Sequence, residues 1–430
     1  MPATSFPSFG AALPRLRRTA MGVGMTLVTI CGLSAPVAAM TLQQTLQMAS
    51  GWDATVASMR QKIARKTIDI AAARDGLKPS IKFAGDTASG PNSDPALTLT
   101  LSQVLFDWGY TRSKIETASQ ERVKAVTALK SSVEELALNI SMLFIQVSVD
   151  DLKLQKTQDY LSFAQRIEEV SQRRVAGGVT DSSEIARARL EVARAEDQIA
   201  QLESDRLTAL SQLEFYTGHP VSDLSPPPDL QVTDRFKSSS AIIAAIQEAP
   251  DYVASKADVA IARADVTKAK AARKPKIVLK AQGVQELNGG RGRSASIGLT
   301  TSLDFDAGDL SGRATQAAEQ DLAAAKSLQL AVERRLQNRL RTYVQQVQSL
   351  ATTEAAQVRQ LDQAEAVRKS YEQQFVGGKR QLVDVLSSAR DYYDAQIDKI
   401  DTYNSKLQAE YEAAHSVGML GSLIIATTNQ

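Results

Sequence analysis

Two long stretches of the chain carry apolar residues at the spacing of an α-helix. In the second stretch, apolar side chains recur at positions 314, 318, 322, 325, 328, 332, 336, 340, 343, 347 and 350. A period near 3.6 residues places such positions on one face of a helix. Proline, the strongest helix breaker, is absent between Pro95 and Pro220 and after Pro275. We therefore predict two helical regions. A helix over 109–174 would be on the order of 100 Å long at about 1.5 Å per residue.

Ahead of each helical region, apolar residues alternate with small polar ones. Residues 96–106 set Leu97 and Leu99 against Thr98 and Thr100, and residues 294–305 repeat the pattern. Alternation over about 10 residues is typical of a membrane β-strand with one lipid-facing side, and it is equally compatible with a soluble hairpin packed on a core. We predict β-hairpins over 80–106 and 276–305, with polar, glycine-rich turns at 89–94 and 287–293.

A double glycine interrupts each helical region, at Gly177-Gly178 and at Gly377-Gly378. The two glycine pairs are offset by 200 residues, nearly half of the chain. An Asp-x-Gly motif also starts each region, at 107–109 and 306–308. We interpret the two halves as copies of one plan: helical lead-in, β-hairpin, very long helix, glycine turn and long helix.

This plan divides the chain into five parts. They are a signal peptide at 1–39, a first repeat at 40–218, an inter-repeat linker at 219–238, a second repeat at 239–420 and a C-terminal tail at 421–430. Within the repeats, the long helical hairpins are expected over 109–217 and 308–418, after lead-ins over 41–77 and 239–273. The linker contains three successive prolines at 226–228, which favour extended backbone.

The first 39 residues have the features of an export signal. Arg15, Arg17 and Arg18 precede an apolar core at 20–33, and an A-x-A-like cleavage site follows at 37–39. The alternative is a lipoprotein anchored at Cys31, but Ile30 stands where that site requires a small residue. Cleavage after residue 39 removes the one cysteine, and with it disulfides and thiolate metal sites.

Composition and motifs argue against a nucleic-acid partner and against catalysis. The formal net charge is only +2, whereas nucleic-acid binders are strongly basic. Gly378-Lys379 lacks the Ser or Thr that follows the lysine of a phosphate-binding loop. No motif indicates a cofactor, a metal site or an enzyme. A periplasmic coiled-coil adaptor is the other class to consider, but the duplicated β-hairpin has no place in such a protein.

The strand count implies an oligomer if the strands lie in a membrane. Two hairpins supply four strands, and an open sheet edge in lipid would leave amides and carbonyls without partners. About eight strands form the smallest closed barrel, so at least two chains are needed, and three chains would supply twelve strands. The same symmetry would arrange the helical hairpins around a duct.

The segment from Gly378 to Leu386, Gly-Lys-Arg-Gln-Leu-Val-Asp-Val-Leu, closely resembles the gate helix of the TolC family of outer-membrane exit ducts. The resemblance extends over both repeats. It implies a mainly α fold with a small β part, built as a homotrimer with a 12-stranded β-barrel in the outer-membrane lipid and an α-helical barrel in the periplasm. It also implies that a periplasmic adaptor and an inner-membrane transporter, either ABC or proton-driven, open the closed tip.

By this resemblance, four residues match the family's periplasmic gate. Asp384 matches the aspartate that rings the pore, and Arg380 matches the arginine that links neighbouring hairpins. Ser183 and Glu184 match the partners of that arginine. The glycine turns match the helix-turn tips that contact the adaptor, with residues Gly177, Gly178, Gly377 and Gly378.

Two positions depart from the family pattern. Phe375 stands where a tyrosine can occur, so a hydroxyl link is missing, and Ser387 stands where a second acidic ring can occur. The resemblance predicts a passive exit duct. Type I protein secretion is favoured over small-molecule efflux because the lipoprotein signal common among dedicated efflux ducts is absent.

Overall fold

The computed structural model describes residues 39–86, 95–287, 293–302 and 312–428. Four sequence predictions lie outside these residues in whole or large part: the signal peptide with Cys31, the turn at 89–94, the turn at 287–293 and the Asp306 start of the second helical region. The element bounds below refer to the described residues.

The described residues contain the order helix, helix, strand, strand, long helix, long helix twice, and the second half adds a short helix before it and another after it. The first half has α1 (Leu42–Trp52), α2 (Ala54–Asp75), β1 (Ser80–Asp86), β2 (Ala96–Phe106), α3 (Tyr110–Ala176) and α4 (Ser183–Thr217). The second half has α5 (Val232–Arg235), α6 (Ser239–Glu248), α7 (Pro250–Ala272), β3 (Lys276–Glu286), β4 (Arg293–Ser302), α8 (Arg313–Val376), α9 (Leu382–Ser416) and α10 (Leu420–Thr428). The predicted fold class, mainly helical with a small antiparallel sheet and a duplicated plan, is confirmed.

Each helical lead-in consists of two helices where the sequence pattern indicates one. Asp53 has an extended backbone, and its side chain accepts a hydrogen bond from the Val56 N–H at 2.7 Å, so it ends α1 and caps α2. In the second half, Ala249 is extended and Pro250 starts α7, where its missing N–H has no consequence. Such breaks depend on capping groups rather than on hydrophobic spacing.

The helical period of the second long region matches its burial. Among the eleven apolar positions of that period, nine are buried or half-buried in α8, and Leu336, Leu340 and Val347 are fully covered. Leu328 is an exception, since it is 65% exposed. The largest group of buried side chains includes residues of α3, α4, α8 and α9, and Phe144, Leu213 and Tyr411 are fully buried in it.

The four strands form one antiparallel sheet in the order β1-β2-β3-β4, and its register sorts the residues onto two faces. Cross-strand neighbours on one face are apolar: Ile81 with Leu101, Phe83 with Leu99, Leu279 with Leu299 and Ala281 with Ile297. The row Lys82, Thr100, Gln282 and Ser296 lies on the other face. The apolar face is open, with Ile81 72% and Ile297 79% exposed.

The linker and the C-terminal segment both pack against the helices. Leu224 of the linker forms a parallel bridge with Met40, and Leu230 is fully buried. The segment predicted as a tail is mostly helix α10, whose first N–H group, that of Leu420, donates to the Glu134 carboxylate at 2.8 Å. Burial raises the pKa of Glu134, although the hydrogen bonds from the Gly421 and Leu420 N–H groups oppose that effect.

One described helix, α3, is long and apolar enough by length and composition to cross a membrane. Half of its most apolar window is buried within the chain, and α3 contacts α2, α4, α7 and α9. This apolar stretch therefore serves as a packing surface for other helices.

Candidate functional site

The candidate site consists of the two glycine turns, each with the first turn of the helix that follows. We call residues 174–184 the first tip and residues 374–384 the second tip. In the first tip, the Gly178 N–H donates to the Val175 carbonyl and the Val179 N–H donates to the Arg174 carbonyl, both at 2.9 Å. This pair of bonds is the Schellman arrangement, which satisfies the last carbonyls of α3.

The second tip repeats the arrangement. The Gly378 N–H donates to the Phe375 carbonyl at 2.9 Å, and the Lys379 N–H donates to the Gln374 carbonyl at 2.8 Å. The backbone φ is +71° at Gly178 and +74° at Gly378, in the left-handed region that favours glycine. Gly177 and Gly377 have helical φ angles of −80° and −75°, so the turn needs only the second glycine of each pair.

Glu184 lies in the first turn of the return helix of the first tip and pairs with Arg174. The Arg174 Nε donates to a Glu184 carboxylate oxygen at 3.3 Å, and the two side chains are only 17% and 16% exposed. The same guanidinium also reaches the second tip, where Nη1 donates to the Phe375 carbonyl at 3.3 Å. It lies 4.6 Å from the centre of the Phe375 ring.

Arg380 and Asp384 pair within the second tip. Their side chains are 3.6 Å apart, one helical turn from each other. Arg380 Nε also donates to the Gln374 side-chain oxygen at 3.2 Å, and the guanidinium lies 3.9 Å from the centre of the Tyr371 ring. In this single chain, Arg380 and Glu184 thus have other partners, and a contact between them across subunits stays a prediction.

The two predicted serines have different surroundings. The Ser183 N–H donates to the Asp181 carboxylate at 2.8 Å, and the hydrogen bonds from Ser183 lower the pKa of Asp181. This bond holds the start of α4 in place. Ser387 is exposed on α9, three residues after Asp384, and its neighbour Ser388 is buried.

A small apolar core supports the second tip. Phe375 and Val385 are fully buried, and Leu382 is 2% exposed. Residues from the first hairpin complete this core, namely Tyr160, Phe163, Ile167 and Ala195. The tip of the second hairpin therefore rests on the first hairpin through Phe375 and the first turn of α9.

Behind the tips, a buried carboxylate joins the hairpins. Glu191 of α4 accepts hydrogen bonds from the Tyr160 hydroxyl at 3.0 Å, from Arg194 at 2.8 Å and from Arg390 of α9. Burial by itself raises the pKa of Glu191, but the hydrogen bonds from Arg390 and Tyr160 and the arginine charges outweigh it, so the pKa lies below its usual value. The Tyr160 ring stacks on Tyr393 at 4.8 Å. We call these five residues the Glu191 cluster.

Sequence reasoning missed Arg174 and the Glu191 cluster. Arg174 occupies the position where the second repeat has Gln374. This difference between the copies is the one feature of the sequence that could have pointed to Arg174. Glu191 and Arg390 are 199 residues apart, and each stands in a helical stretch rich in charges. Nothing local distinguishes them from solvated helix charges. Within the part of the chain that the structure describes, no group of three or more metal-ligating side chains is arranged around a common point.

Comparison with known proteins agrees with this architecture. The family model described as outer membrane efflux protein matches residues 45–219 and 241–418, one match for each repeat. Among curated proteins, no significant match is found.

Several solved structures share the fold at low sequence identity. A membrane protein from Pseudomonas aeruginosa is 18% identical, with a TM-score of 0.77 over 87% of this chain and 90% of that chain. The outer membrane protein VceC from Vibrio cholerae is 15% identical, with a TM-score of 0.75 over 88% and 96% of the two chains. CusC, described for the changes that accompany transmembrane channel formation, is 14% identical, with a TM-score of 0.75 over 87% and 91%. Because the family model matches both repeats over most of the chain, the chain belongs to the outer membrane efflux protein family.

Proposed function

We propose that this chain is the passive, trimeric exit duct of a three-part export machine, with its sheet in the outer membrane and its helical hairpins in the periplasm. The observation that carries the proposal is the open four-stranded sheet. Its edge strands β1 and β4 have no further strand beside them among the described residues, and one face is apolar and exposed.

An open edge is not tolerated in lipid, because unpaired backbone groups cost several kcal/mol each there. Pairing β4 of one chain with β1 of the next removes both edges. Three chains then form a closed barrel of twelve strands, with the apolar face that carries Ile81, Leu99 and Ile297 towards lipid. The polar row of Lys82, Thr100 and Gln282 faces the lumen, as in other membrane barrels.

The partners follow from the chain's lack of an energy source. No nucleotide-binding motif occurs in the sequence, so a transporter in the inner membrane must drive export. A periplasmic adaptor would connect that transporter to the duct. We propose that it contacts the two tips around Gly177, Gly178, Gly377 and Gly378, which are all exposed.

For the gate, we propose that the second tips of three chains surround the periplasmic entrance. Asp384, 41% exposed on its side chain, forms an acidic ring there. Arg380 links to Ser183 or Glu184 of the neighbouring hairpin, and exposed Ser387 leaves the next helical turn uncharged. Replacement Arg380→Ser should then loosen the closed tip and admit large antibiotics. Conductance equal to wild type in Arg380→Ser and Glu184→Ala alike would contradict this link.

The cargo has two candidates. Type I protein secretion is favoured because Ile30 stands before Cys31, where the lipoprotein signal requires a small residue. Small-molecule efflux is favoured by the description of the matching family as efflux proteins. Deleting the gene and measuring both secreted proteins and drug susceptibility separates these two candidates.

Membrane assembly is tested on the sheet itself. We expect the protein to fractionate with outer membranes and to sediment in detergent as a trimer. Phe83→Arg places a charge on the lipid face, which costs about 2–4 kcal/mol per copy at mid-membrane, and should abolish assembly. Ala84→Arg, the matched control on the opposite face, should assemble. A wild-type protein that is soluble and monomeric would refute the proposed function.

A further inference from the structure

Among the described residues of the first tip, Arg174 makes the side-chain hydrogen bond and the cation–π contact to the second tip. Its guanidinium has three partners: the Glu184 carboxylate at 3.3 Å, the Phe375 carbonyl at 3.3 Å and the Phe375 ring at 4.6 Å. The carboxylate belongs to the same hairpin, and the carbonyl and ring belong to the other hairpin. A single side chain thus spans the two tips.

The surroundings of Arg174 favour these contacts. Its side chain is 17% exposed, and the Phe375 ring is fully buried, so the cation and the ring meet largely out of water. Attraction between a guanidinium and an aromatic face increases when both are desolvated. A hydrogen bond from a charged donor to a carbonyl is likewise stronger than a neutral one.

The second tip has no counterpart to this side chain. Gln374 stands at the equivalent position and accepts a hydrogen bond from Arg380 of its own tip. Arg380, the arginine of the second tip, is engaged by Tyr371, Gln374 and Asp384, all on the second hairpin. Among the described contacts, the connection between the tips therefore runs from Arg174 to Phe375.

We propose that Arg174 is the clasp that holds the two hairpin tips of one subunit together in the closed channel, and that Glu184 positions its guanidinium. This inference rests on the proposed function as a gated duct. Opening moves the second tip away from the first, which separates Arg174 from Phe375 and leaves the Arg174–Glu184 pair intact. Phenylalanine suits this clasp because the link needs only a ring face and a backbone carbonyl.

The clasp is tested by recording reconstituted full-length channels in planar bilayers, with uptake of vancomycin by cells as a second readout. Arg174→Gln should raise the open fraction and the uptake about tenfold, since it removes a charged hydrogen bond and a cation–π contact. Arg173→Gln is the matched control, because Arg173 is exposed and adjacent and its loss changes the charge equally. It should behave as wild type.

The role of Glu184 is tested by combining variants. Glu184→Gln should have an intermediate effect, because the guanidinium loses its orienting partner but keeps Phe375. In an Arg380→Ser background, which removes the proposed link to the neighbouring hairpin, adding Glu184→Gln to Arg174→Gln should open the channel no further, since Glu184 then acts only through Arg174. Arg174→Lys keeps the charge without the planar fork and should lie between wild type and Arg174→Gln.

Each outcome bears on a separate claim. A wild-type protein that forms no channel refutes the proposed function, whatever the variants do. A conducting wild type with Arg174→Gln equal to Arg173→Gln overturns the clasp and leaves the duct standing. If Arg174→Gln does not assemble, the Glu184→Gln and Arg174→Lys channels decide, and wild-type behaviour in both overturns the clasp.

Discussion

In the first tip, no side chain from 174 to 184 is buried, whereas in the second tip the Phe375 ring and the Leu382 side chain are both buried. The backbone does not account for this contrast, because the two turns have the same hydrogen-bond arrangement and nearly the same glycine φ angles. The difference lies in the packing. The second tip rests on a core that α3 and α4 complete, and the first tip rests on polar contacts.

The comparison separates two tasks that one repeated motif performs. The glycine turn reverses the chain equally well in both copies. Arginine and acid pair in each tip, but Arg380 and Asp384 stay within their own hairpin, while Arg174 extends from Glu184 to the other hairpin. The first tip thus provides the polar link, and the second tip provides the apolar surface that is held.

The largest expected effect concerns the core of the second tip. Phe375→Ala removes a fully buried ring and should cost about 3–4 kcal/mol of local stability, by lost burial and a remaining cavity. Val175→Ala at the equivalent, half-buried position should cost less than about 1 kcal/mol. Amide hydrogen exchange and limited proteolysis of the tips measure both. If the two variants lost the same amount of protection against hydrogen exchange and proteolysis, the tips would not differ in packing.

The next effect concerns the Glu191 cluster, which joins the hairpins behind both tips. Glu191→Gln leaves Arg390 without its buried partner, and since Arg390 is itself 46% exposed, the cost should be about 2 kcal/mol rather than the larger value of a fully buried pair. The pKa of Glu191 is lower in the folded protein than the ordinary glutamate value of 4.5 that applies in the unfolded chain.

That sign sets the pH dependence of the cluster. The stabilisation by ionised Glu191 is present above pH 4.5 and is lost as the pH falls through the lower folded pKa. Urea unfolding of wild type and Glu191→Gln should therefore differ most near neutral pH and converge in acid. A difference that grows in acid would contradict the ionised pair.

A smaller effect, equal in both tips, is expected at the turn glycines. Gly178→Ala and Gly378→Ala put a side chain at a positive φ, at a cost of about 1–2 kcal/mol, and open space around both positions adds no clash. Gly177→Ala and Gly377→Ala keep helical backbone and should be near neutral. Tip-specific hydrogen exchange compares the four variants. A cost at only one tip would show that the turns are not equivalent.

The smallest effect is expected for block by a trivalent cation added on the periplasmic side. If three copies of Asp384 ring the entrance, Asp384→Ala should weaken this block several-fold, and the block should decline as salt screens the ring. Ser387→Ala, an uncharged control on the same exposed face, should leave the block unchanged. Unchanged block in Asp384→Ala would make that residue a helix-surface charge.

Local patterns were sufficient to predict most of the architecture. The helical period, the two proline-free stretches and the alternation in 96–106 correspond to α3, α8 and β2, because each reports a short-range property of the backbone. Gly178 and Gly378 were likewise predictable, since a helix that reverses within a few residues requires a positive φ. The breaks at Asp53 and Pro250 were missed because they depend on how the ends of neighbouring helices are capped.

The sequence by itself determined two repeats, their glycine turns and the acidic and basic residues that stand beside them. Only the tertiary structure decided which charges meet. Glu184 pairs with Arg174 rather than with Arg380 in the chain, and Glu191 meets Arg390 from the other repeat. Glu191 and Arg390 are 199 residues apart and leave no local periodicity, and a charged side chain on a helix has the same sequence signature in water as in a buried pair. The packing of α4 and α9 against α3 brings these two side chains together.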